Sequence, residues 1–234
     1  QTQVETVLPY FQRFIETWPT VQDLANAEEQ AVLKVWEGLG YYRRAVNLHQ
    51  SAKMIVQTFN GKVPSTTDAL LKLPGVGPYT AAAIASIAFG VPVAAIDGNI
   101  RRVYARLFAI TGYLGEKETE NQLKEIAQAT LSKERPGDFN QALMDLGATI
   151  CKPRNPLCDA CPLKTVCLAF QKGLVSELPR RKEKPKVPHY VVTAAVISDG
   201  EKVLIAQRAK DDLLGGMWEF PGGKLEESDA SLQT

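Results

Sequence analysis

The sequence lacks any long apolar run. Within its 234 residues no hydrophobic stretch is long enough to cross a bilayer, and no secretory leader is recognisable. Low-complexity tracts and internal repeats of about 20–50 residues are missing too, which excludes solenoids and other repeat folds. These absences predict an ordinary globular protein, and the 45% of hydrophobic residues can furnish its core.

The chain also has almost no net charge, because its 27 basic residues nearly balance its 26 acidic ones. The balance differs along the chain: residues 1–172 hold 18 basic and 16 acidic groups, residues 173–188 hold 5 and 2, and residues 189–234 hold 4 and 8. A surface for nucleic acid would therefore have to be local, on the first domain and the segment that follows it.

An initiator methionine is also lacking. The chain opens on Gln1 and stops at Thr234 in the middle of a pattern, so we expect a fragment of a longer protein.

Two domains are predicted from the change in hydrophobic period. Residues 1–172 show helical spacing throughout, and Asp23 is expected to cap the second helix. Residues 173–188 contain three prolines and few apolar groups, which indicates an exposed basic linker. From residue 189 the period becomes two, with a hairpin turn predicted at Asp199-Gly200, as in the first part of a β-rich or α/β domain. Later helices are predicted over residues 45–59, 118–131 and 139–150.

The stretch from Leu73 to Asp97 organises the first domain. Two glycines and two prolines lie in residues 73–78, between a predicted helix over 66–72 and one that begins near Tyr79. Proline and glycine forbid a continuous helix there, and the amides of Gly75, Val76 and Gly77 would meet a positive helix end, which suits a DNA phosphate. An ordinary helical hairpin without a binding function explains the same residues equally well.

A second glycine-broken turn, residues 38–44, carries two aromatic residues and two arginines. The simpler interpretation is a helix C-cap with aromatic residues in the core. The functional one is a loop that inserts Leu39 and Tyr41 into a base stack while Arg43 and Arg44 meet phosphates.

All four cysteines fall in one run, Cys151-x6-Cys158-x2-Cys161-x5-Cys167. Disulfides are disfavoured because nothing else suggests secretion. Four thiolates can hold either zinc or an iron–sulfur cluster, and the ligand type alone does not separate the two.

The cysteine spacing resembles the [4Fe–4S] loop of endonuclease III and MutY DNA glycosylases. Together with the glycine hairpin and Asp97, it resembles the helix-hairpin-helix DNA glycosylase superfamily. Several runs are similar to the MutY group of adenine DNA glycosylases: Trp36 to Arg44, Asn47-Leu48-His49, Gly75 to Thr80, Asp97-Gly98-Asn99 and Asn140 to Leu143. The resemblance implies a mainly α domain with one [4Fe–4S] cluster on the four cysteines. It also implies a bacterial, nucleoid-associated monomer that excises adenine paired with 8-oxoguanine or guanine in duplex DNA.

The resemblance also assigns roles to residues. Asp97 matches the carboxylate that stabilises positive charge on the sugar, and Tyr79 and Asn99 match residues that flank it. Gln141 matches a residue near the extruded adenine. Each has a plainer alternative, an N-cap for Asp97 and a satisfied polar residue on a helix for the others.

Two departures qualify the catalytic assignment. Endonuclease III-like enzymes carry a lysine nucleophile where this chain has Tyr79, so a glycosylase without efficient lyase chemistry is implied. The family's glutamate general acid would lie before Gln1, so residues 1–234 alone are expected to bind DNA weakly and excise little.

Opposite-base recognition is implied for Leu39 and Tyr41 with Gln1 and Thr2, and for a C-terminal part that resembles a Nudix hydrolase. Residues 218–226 look like the approach to a Nudix box, and recognition without hydrolysis is expected. The alternatives are an endonuclease III-like glycosylase for another base and a non-catalytic DNA-binding relative.

Overall fold

The computed structural model describes residues 4–182, 188–209, 211 and 214–224. Its helices are α1 Val4–Thr17, α2 Val21–Asn26, α3 Glu29–Trp36, α4 Arg43–Thr58, α5 Thr67–Leu70, α6 Pro78–Phe89, α7 Gly98–Leu107, α8 Lys117–Thr130, α9 Pro136–Asp145 and α10 Leu168–Gln171. Its strands are β1 Tyr113–Leu114, β2 Arg180–Arg181, β3 Val192–Ala194, β4 Ala206–Gln207, β5 Trp218–Glu219 and β6 Gly222–Lys224. Among these helices none is long and apolar enough to cross a bilayer.

Three hydrophobic clusters form the core of the helical part. One joins α2, α3 and α4, and a second joins α4, α5 and α6. The third joins α7, α8 and α9 around Tyr104 and Leu123, both at most 2% exposed. The prediction that this part of the chain is mainly helical is confirmed.

The start of α2 differs from the prediction. Thr20, not Asp23, is the N-cap residue, and Asp23 completes a capping box as the third helical residue. The Asp23 amide donates to Thr20 Oγ1 at 3.2 Å, and the Thr20 amide donates to Asp23 Oδ2 at 3.0 Å. The prediction was wrong by three residues because both partners of such a box are typical cap residues.

The helix predicted over 139–150 also differs. Helix α9 begins at Pro136 and ends at Asp145, and residues 146–150 continue it as one π-helical turn. A Cβ on Gly147 in that turn would lie 2.6 Å from Asn99 Cβ, so the backbone of the turn comes close to the start of α7. Single π-helical turns of this kind are frequent at functional sites.

The predicted linker is not exposed along its whole length. Leu178 is 2% exposed, and β2 pairs in parallel with β1 of the helical domain. The expectation of exposure was wrong at Leu178, whose apolar side chain packs into the fold, while Ser176, Glu177 and Arg181 are exposed as expected.

The described residues from 188 onward form short antiparallel pairs. Strand β3 pairs with β6, and β4 pairs with β5. The turn predicted at Asp199-Gly200 is present, with a bridge between Ser198 and Val203 on either side of it. Residues 225–226 of the predicted Nudix-box approach lie outside the described residues.

Candidate active site and iron–sulfur centre

The glycine hairpin joins α5 to α6 and is held by α4. Gly75 has a φ of +74°, which favours glycine, and a Cβ there would lie 2.5 Å from Asn47 Nδ2. Ser51 Oγ donates to Pro74 O at 2.9 Å. Helix α6 begins at Pro78, with Gly77 as its N-cap. The hairpin is thus a turn that contacts with α4 hold in place.

Not all three predicted phosphate donors are free. The Val76 amide donates to Leu73 O at 3.1 Å, so it is already paired. The amides of Gly75 and Gly77 have no acceptor among the described residues. Phosphate binding by Gly75 and Gly77 stays a prediction, and Val76 contributes shape rather than a free donor.

Asp97 caps α7, and its plainer interpretation as an N-cap is confirmed. Oδ1 accepts from the Ile100 amide at 2.7 Å, which fixes the side chain while leaving Oδ2 without a protein donor among the described residues. The residue is half-buried. An N-cap bond of this type is worth about 1 kcal/mol, and it holds the carboxylate in one orientation.

Tyr79 lies near this carboxylate. Its hydroxyl donates to Met144 Sδ at 3.6 Å. Burial raises the pKa of the Tyr79 phenol above its usual value, and the negative charge of Asp97 raises it further. The structure therefore brings a neutral phenol from α6 and a carboxylate at the head of α7 into one electrostatic neighbourhood.

Asn99 connects the head of α7 to the cysteine loop through Arg102. Arg102 Nη2 donates to Asn99 Oδ1 at 2.9 Å and to Gly147 O at 2.7 Å, and its Nε donates to Cys151 O at 2.7 Å. Arg102 is only 4% exposed. One buried guanidinium therefore fixes Asn99, the π-helical turn and the first cysteine together.

Arg106, one helical turn further on, bonds the cysteine loop directly. Its Nη1 donates to Lys152 O at 2.7 Å and lies 3.4 Å from Cys151 Sγ, and its Nη2 donates to Pro153 O at 3.2 Å. Its Nε donates to Leu178 O at 2.8 Å. This arginine is 3% exposed, so its charge is compensated by backbone carbonyls rather than by water.

All four cysteines line one cavity, together with Arg106, Leu146 and Phe170. Each of the four is half-buried. Four converging thiolates are the donor set of a zinc site and of an iron–sulfur cluster alike.

The other predicted contacts are scattered. Tyr41 is 80% exposed with a φ of +51°, and the Arg44 guanidinium lies 5.2 Å from its ring centre. Leu39 is half-buried. Gln1 and Thr2 lie outside the described residues. Gln141 is exposed and donates to Gly137 O of its own helix at 3.2 Å, as its plainer alternative expects.

Sequence reasoning missed three buried polar residues. Arg102 and Arg106 were counted only among the basic residues of α7, and Asn140 only as part of a matching run. Asn140 is 2% exposed and makes three hydrogen bonds, whereas its neighbour Gln141 points outward. Only the helical phase of α9, with Leu143 also buried, could have separated the two.

A helix-hairpin-helix, a carboxylate at the next helix head and a four-cysteine loop define the class of iron–sulfur DNA-repair proteins. Residues 1–129 match the model of the HhH-GPD superfamily base excision DNA repair proteins, and the chain belongs to this family. Residues 151–167 match the iron–sulfur binding domain of endonuclease III, and residues 192–234 match a NUDIX domain. The cysteine loop is the site of a [4Fe–4S] cluster.

Similar proteins include the adenine DNA glycosylases of Rattus norvegicus and Homo sapiens. The rat protein is 38% identical over 97% of this chain and 53% of its own length, and the human protein is 37% identical over 98% and 50%. The chain therefore spans about half the length of these curated relatives.

Solved structures with the same fold include a thermostable thymine-DNA glycosylase and a non-covalent endonuclease III–DNA complex. The first is 32% identical with a TM-score of 0.62, covering 71% of this chain and 76% of that one. The second is 28% identical with a TM-score of 0.62, covering 73% and 78%. The mainly α fold with an iron–sulfur loop, followed by part of a Nudix-like domain, is confirmed.

Proposed function

We propose that the protein is an adenine DNA glycosylase, which hydrolyses the N-glycosidic bond of adenine mispaired with 8-oxoguanine or guanine in duplex DNA. The names of the similar rat and human proteins support adenine as the base that is excised. The observation that carries the proposal is the half-buried carboxylate of Asp97, held as an N-cap beside the neutral phenol of Tyr79.

The chemistry suits this arrangement. When adenine leaves deoxyribose, positive charge develops on the sugar, and a fixed carboxylate stabilises that charge without reorganising. Asp97 fills this role because Oδ1 is bound to the Ile100 amide while Oδ2 is available. Asn99, oriented by Arg102, lies two residues after Asp97 at the same helix head and orients the sugar or a water. Protonation of adenine at N7 is assigned to a separate acid.

Tyr79 argues for hydrolysis alone, without strand cleavage. One solved structure with the same fold is a trapped endonuclease III–DNA covalent intermediate, 28% identical to this chain. A covalent intermediate of the Schiff-base type requires an amine nucleophile. Tyr79 offers a phenol whose raised pKa keeps it protonated, so we assign it a contact to the sugar.

The remaining residues are assigned to DNA. Gly75 and Gly77 bind a backbone phosphate, Leu39 and the exposed Tyr41 enter the duplex beside the mispair, and Gln1 and Thr2 contact the opposite base. Gln141 reads the edge of the extruded adenine. We assign the Nudix-like part to opposite-base recognition without hydrolysis, in a protein that acts as a monomer.

The test is single-turnover adenine release from a duplex with A opposite 8-oxoguanine, using the complete gene product that carries this sequence. Asp97→Asn is the informative variant, because asparagine caps a helix as well as aspartate does and removes only the charge. We expect its rate constant to fall by at least about 10²-fold with little change in thermal stability. Release at the parent rate would refute the role of Asp97.

A thymine glycosylase is the second candidate, since a thermostable thymine-DNA glycosylase is 32% identical to this chain. The same assay with a T·G duplex separates the two. Thymine release without adenine release would replace the proposed substrate and leave the family unchanged.

A further inference from the structure

Residues 91–96 join α6 to α7 and end at Asp97, yet they belong to no helix or strand. Backbone amides and carbonyls in such a partly buried segment need hydrogen-bond partners to stay in one conformation. Whatever supplies those partners sets the position of Asp97.

One partner is the side-chain amide of Asn140 on α9. Its Oδ1 accepts from the Ala95 amide at 3.1 Å, and its Nδ2 donates to Val93 O at 3.0 Å. These two backbone groups lie two residues apart on the same edge of an extended chain. A neighbouring β-strand would bond the same pair, so the amide takes the place of a strand.

A second amide serves the opposite edge. Gln128 on α8 accepts from the Ala94 amide at 3.2 Å and donates to Pro92 O at 3.0 Å. The two amides differ in environment, since Gln128 is exposed and Asn140 is 2% exposed. Water can replace the bonds of Gln128, whereas nothing can replace those of Asn140 without moving the chain.

Asn140 makes a third contact, which reaches the hairpin helix. Its Nδ2 also donates to Ser86 Oγ on α6 at 2.9 Å, and Ser86 is 1% exposed. Helix α6 carries Tyr79, and the loop leads to Asp97. One buried amide therefore ties together the two elements that hold the proposed sugar-facing groups.

We propose that Asn140 is a positioning residue of base excision, which sets the Asp97 carboxylate relative to Tyr79 through its bonds to Val93, Ala95 and Ser86. The inference rests on the proposed function. It differs from a stabilising role because it requires the chemical step, rather than DNA binding, to depend on the amide.

The experiment compares Asn140→Asp and Asn140→Ala with the parent in the complete gene product, and Gln122→Ala is the control. Gln122 is an exposed residue of α8 whose side chain makes no hydrogen bond to the described residues. The measurements are the single-turnover excision rate constant on an A·8-oxoguanine duplex, the Kd for a duplex with a non-cleavable adenosine analogue, and hydrogen exchange of the Ala95 amide. Asn140→Asp keeps the shape of the side chain, so the same measurements can be made on it if Asn140→Ala does not fold.

We expect both Asn140 variants to lose about 10²-fold in excision rate while the Kd stays within about threefold, since misplacement by about 1 Å has this effect on a reaction. Exchange of the Ala95 amide should accelerate, and Gln122→Ala should match the parent in all three measurements. Excision within about threefold of the parent, or a loss of rate matched by an equal loss of DNA affinity, would overturn the inference. A parent that releases no adenine would refute the proposed function and the positioning role with it. In that case accelerated Ala95 exchange in the variants would still show that Asn140 holds the loop.

Discussion

Arg102 shows how much one side chain can organise. Its guanidinium reaches Asn99, Gly147 and Cys151, and hence the head of α7, the π-helical turn and the iron–sulfur loop. Hydrogen bonds from a charged donor to buried acceptors are worth about 1.5–3 kcal/mol each, and loss of the donor leaves those acceptors unpaired. The residue is therefore a structural link between the cluster and the proposed catalytic residues.

Replacing Arg102 by alanine should lower the free energy of unfolding by roughly 2–4 kcal/mol, because one buried and two partly buried acceptors lose their donor. The iron content of the purified protein should fall as well. Arg101→Ala is the matched control, since Arg101 is partly exposed and pairs with Glu120 at 3.0 Å. An exposed pair of this kind is worth about 0.2–1 kcal/mol. Chemical denaturation and iron analysis measure both variants, and equal losses would contradict the special role of Arg102.

His49 gives a pH dependence. It is fully buried, and neither ring nitrogen has a hydrogen-bond partner among the described residues. Burial lowers the pKa of His49 below its usual 6.5 and Lys53 lowers it further, while the nearby backbone of Ala27 and the charges of Glu29 and Glu28 partly oppose the shift. Below pH 6.5 the unfolded chain therefore binds a proton at His49 that the folded chain resists.

The contribution of His49 to stability is complete above its unfolded pKa of 6.5 and is lost as the pH falls toward its lower folded value. We expect the melting temperature of the parent to fall between about pH 7 and pH 5, and that of His49→Gln to fall less over the same range. Thermal melts of both proteins across this range test the expectation. Parallel curves would assign the pH dependence to other groups.

For single residues, the sequence predicts where functional side chains lie in the chain better than it predicts their hydrogen-bond partners. Asp97 and the four cysteines are named by motif and spacing, and the structure places Asp97 at a helix head and the cysteines around one cavity. The roles of Arg102 and Asn140 could not be assigned from the sequence, because they depend on which distant backbone groups these side chains meet. Contacts between residues 45 or more apart in sequence leave no local pattern.

The contact between α6 and α9 depends on a glycine. A Cβ on Gly137 would lie 2.7 Å from Ser86 O and 2.8 Å from Ile87 Cα, both of them backbone atoms. The helices can approach this closely only because residue 137 has no side chain. The same approach allows Asn140 to reach Ser86.

Gly137→Ala should therefore destabilise the protein by about 1–3 kcal/mol, the usual cost of overpacking. Gly98→Ala at the start of α7 is the control, because a Cβ there meets nothing within 4 Å and the backbone has no positive φ. We expect Gly98→Ala to leave the free energy of unfolding unchanged or slightly higher, because alanine restricts the unfolded chain. Urea unfolding of the two variants decides the point, and equal stabilities would mean that α6 and α9 separate at little cost.

The presence of the helices was predictable from the sequence, but the residues at which they begin and end were not. The hairpin was expected between helices over 66–72 and from 79, whereas α5 spans only Thr67–Leu70 and α6 already begins at Pro78. Proline is favoured in the first turn of a helix because its missing amide proton has no partner there anyway, and this explains the earlier start. The π-helical turn after Asp145 has no sequence signal, since it arises from packing against α7.

At the level of the whole molecule, the cluster is bound by a loop that two buried arginines connect to the helical core. Loss of the cluster by oxidation, or by Cys158→Ser, should leave α4–α6 intact but accelerate hydrogen exchange in residues 146–178. The cause is that the loop loses its cysteine–iron bonds, while the hydrogen bonds from Arg102 and Arg106 still connect it to α7. Hydrogen exchange with mass spectrometry, together with visible absorbance for the cluster, makes the measurement. Uniform acceleration throughout the chain would show that the cluster is needed for the global fold instead.

The two-part organisation of the chain was predictable from hydrophobic period and composition, but the attachment of the linker was not. Leu178 looks like an isolated apolar residue among prolines and basic groups. Its carbonyl becomes a partner of Arg106 and its side chain becomes buried only after α7 and the cysteine loop have packed. That information resides in tertiary structure.

The pairing of β2 with β1 limits how far the Nudix-like part can lie from the helical part. A free linker over residues 173–188 could extend to about 55 Å, whereas attachment through Arg181 leaves only residues 182–188, which reach about 25 Å at most. The pairing therefore keeps residue 188, where the described residues of the Nudix-like part begin, within about 25 Å of β2. Under the proposed function, the two parts would then contact the same stretch of duplex.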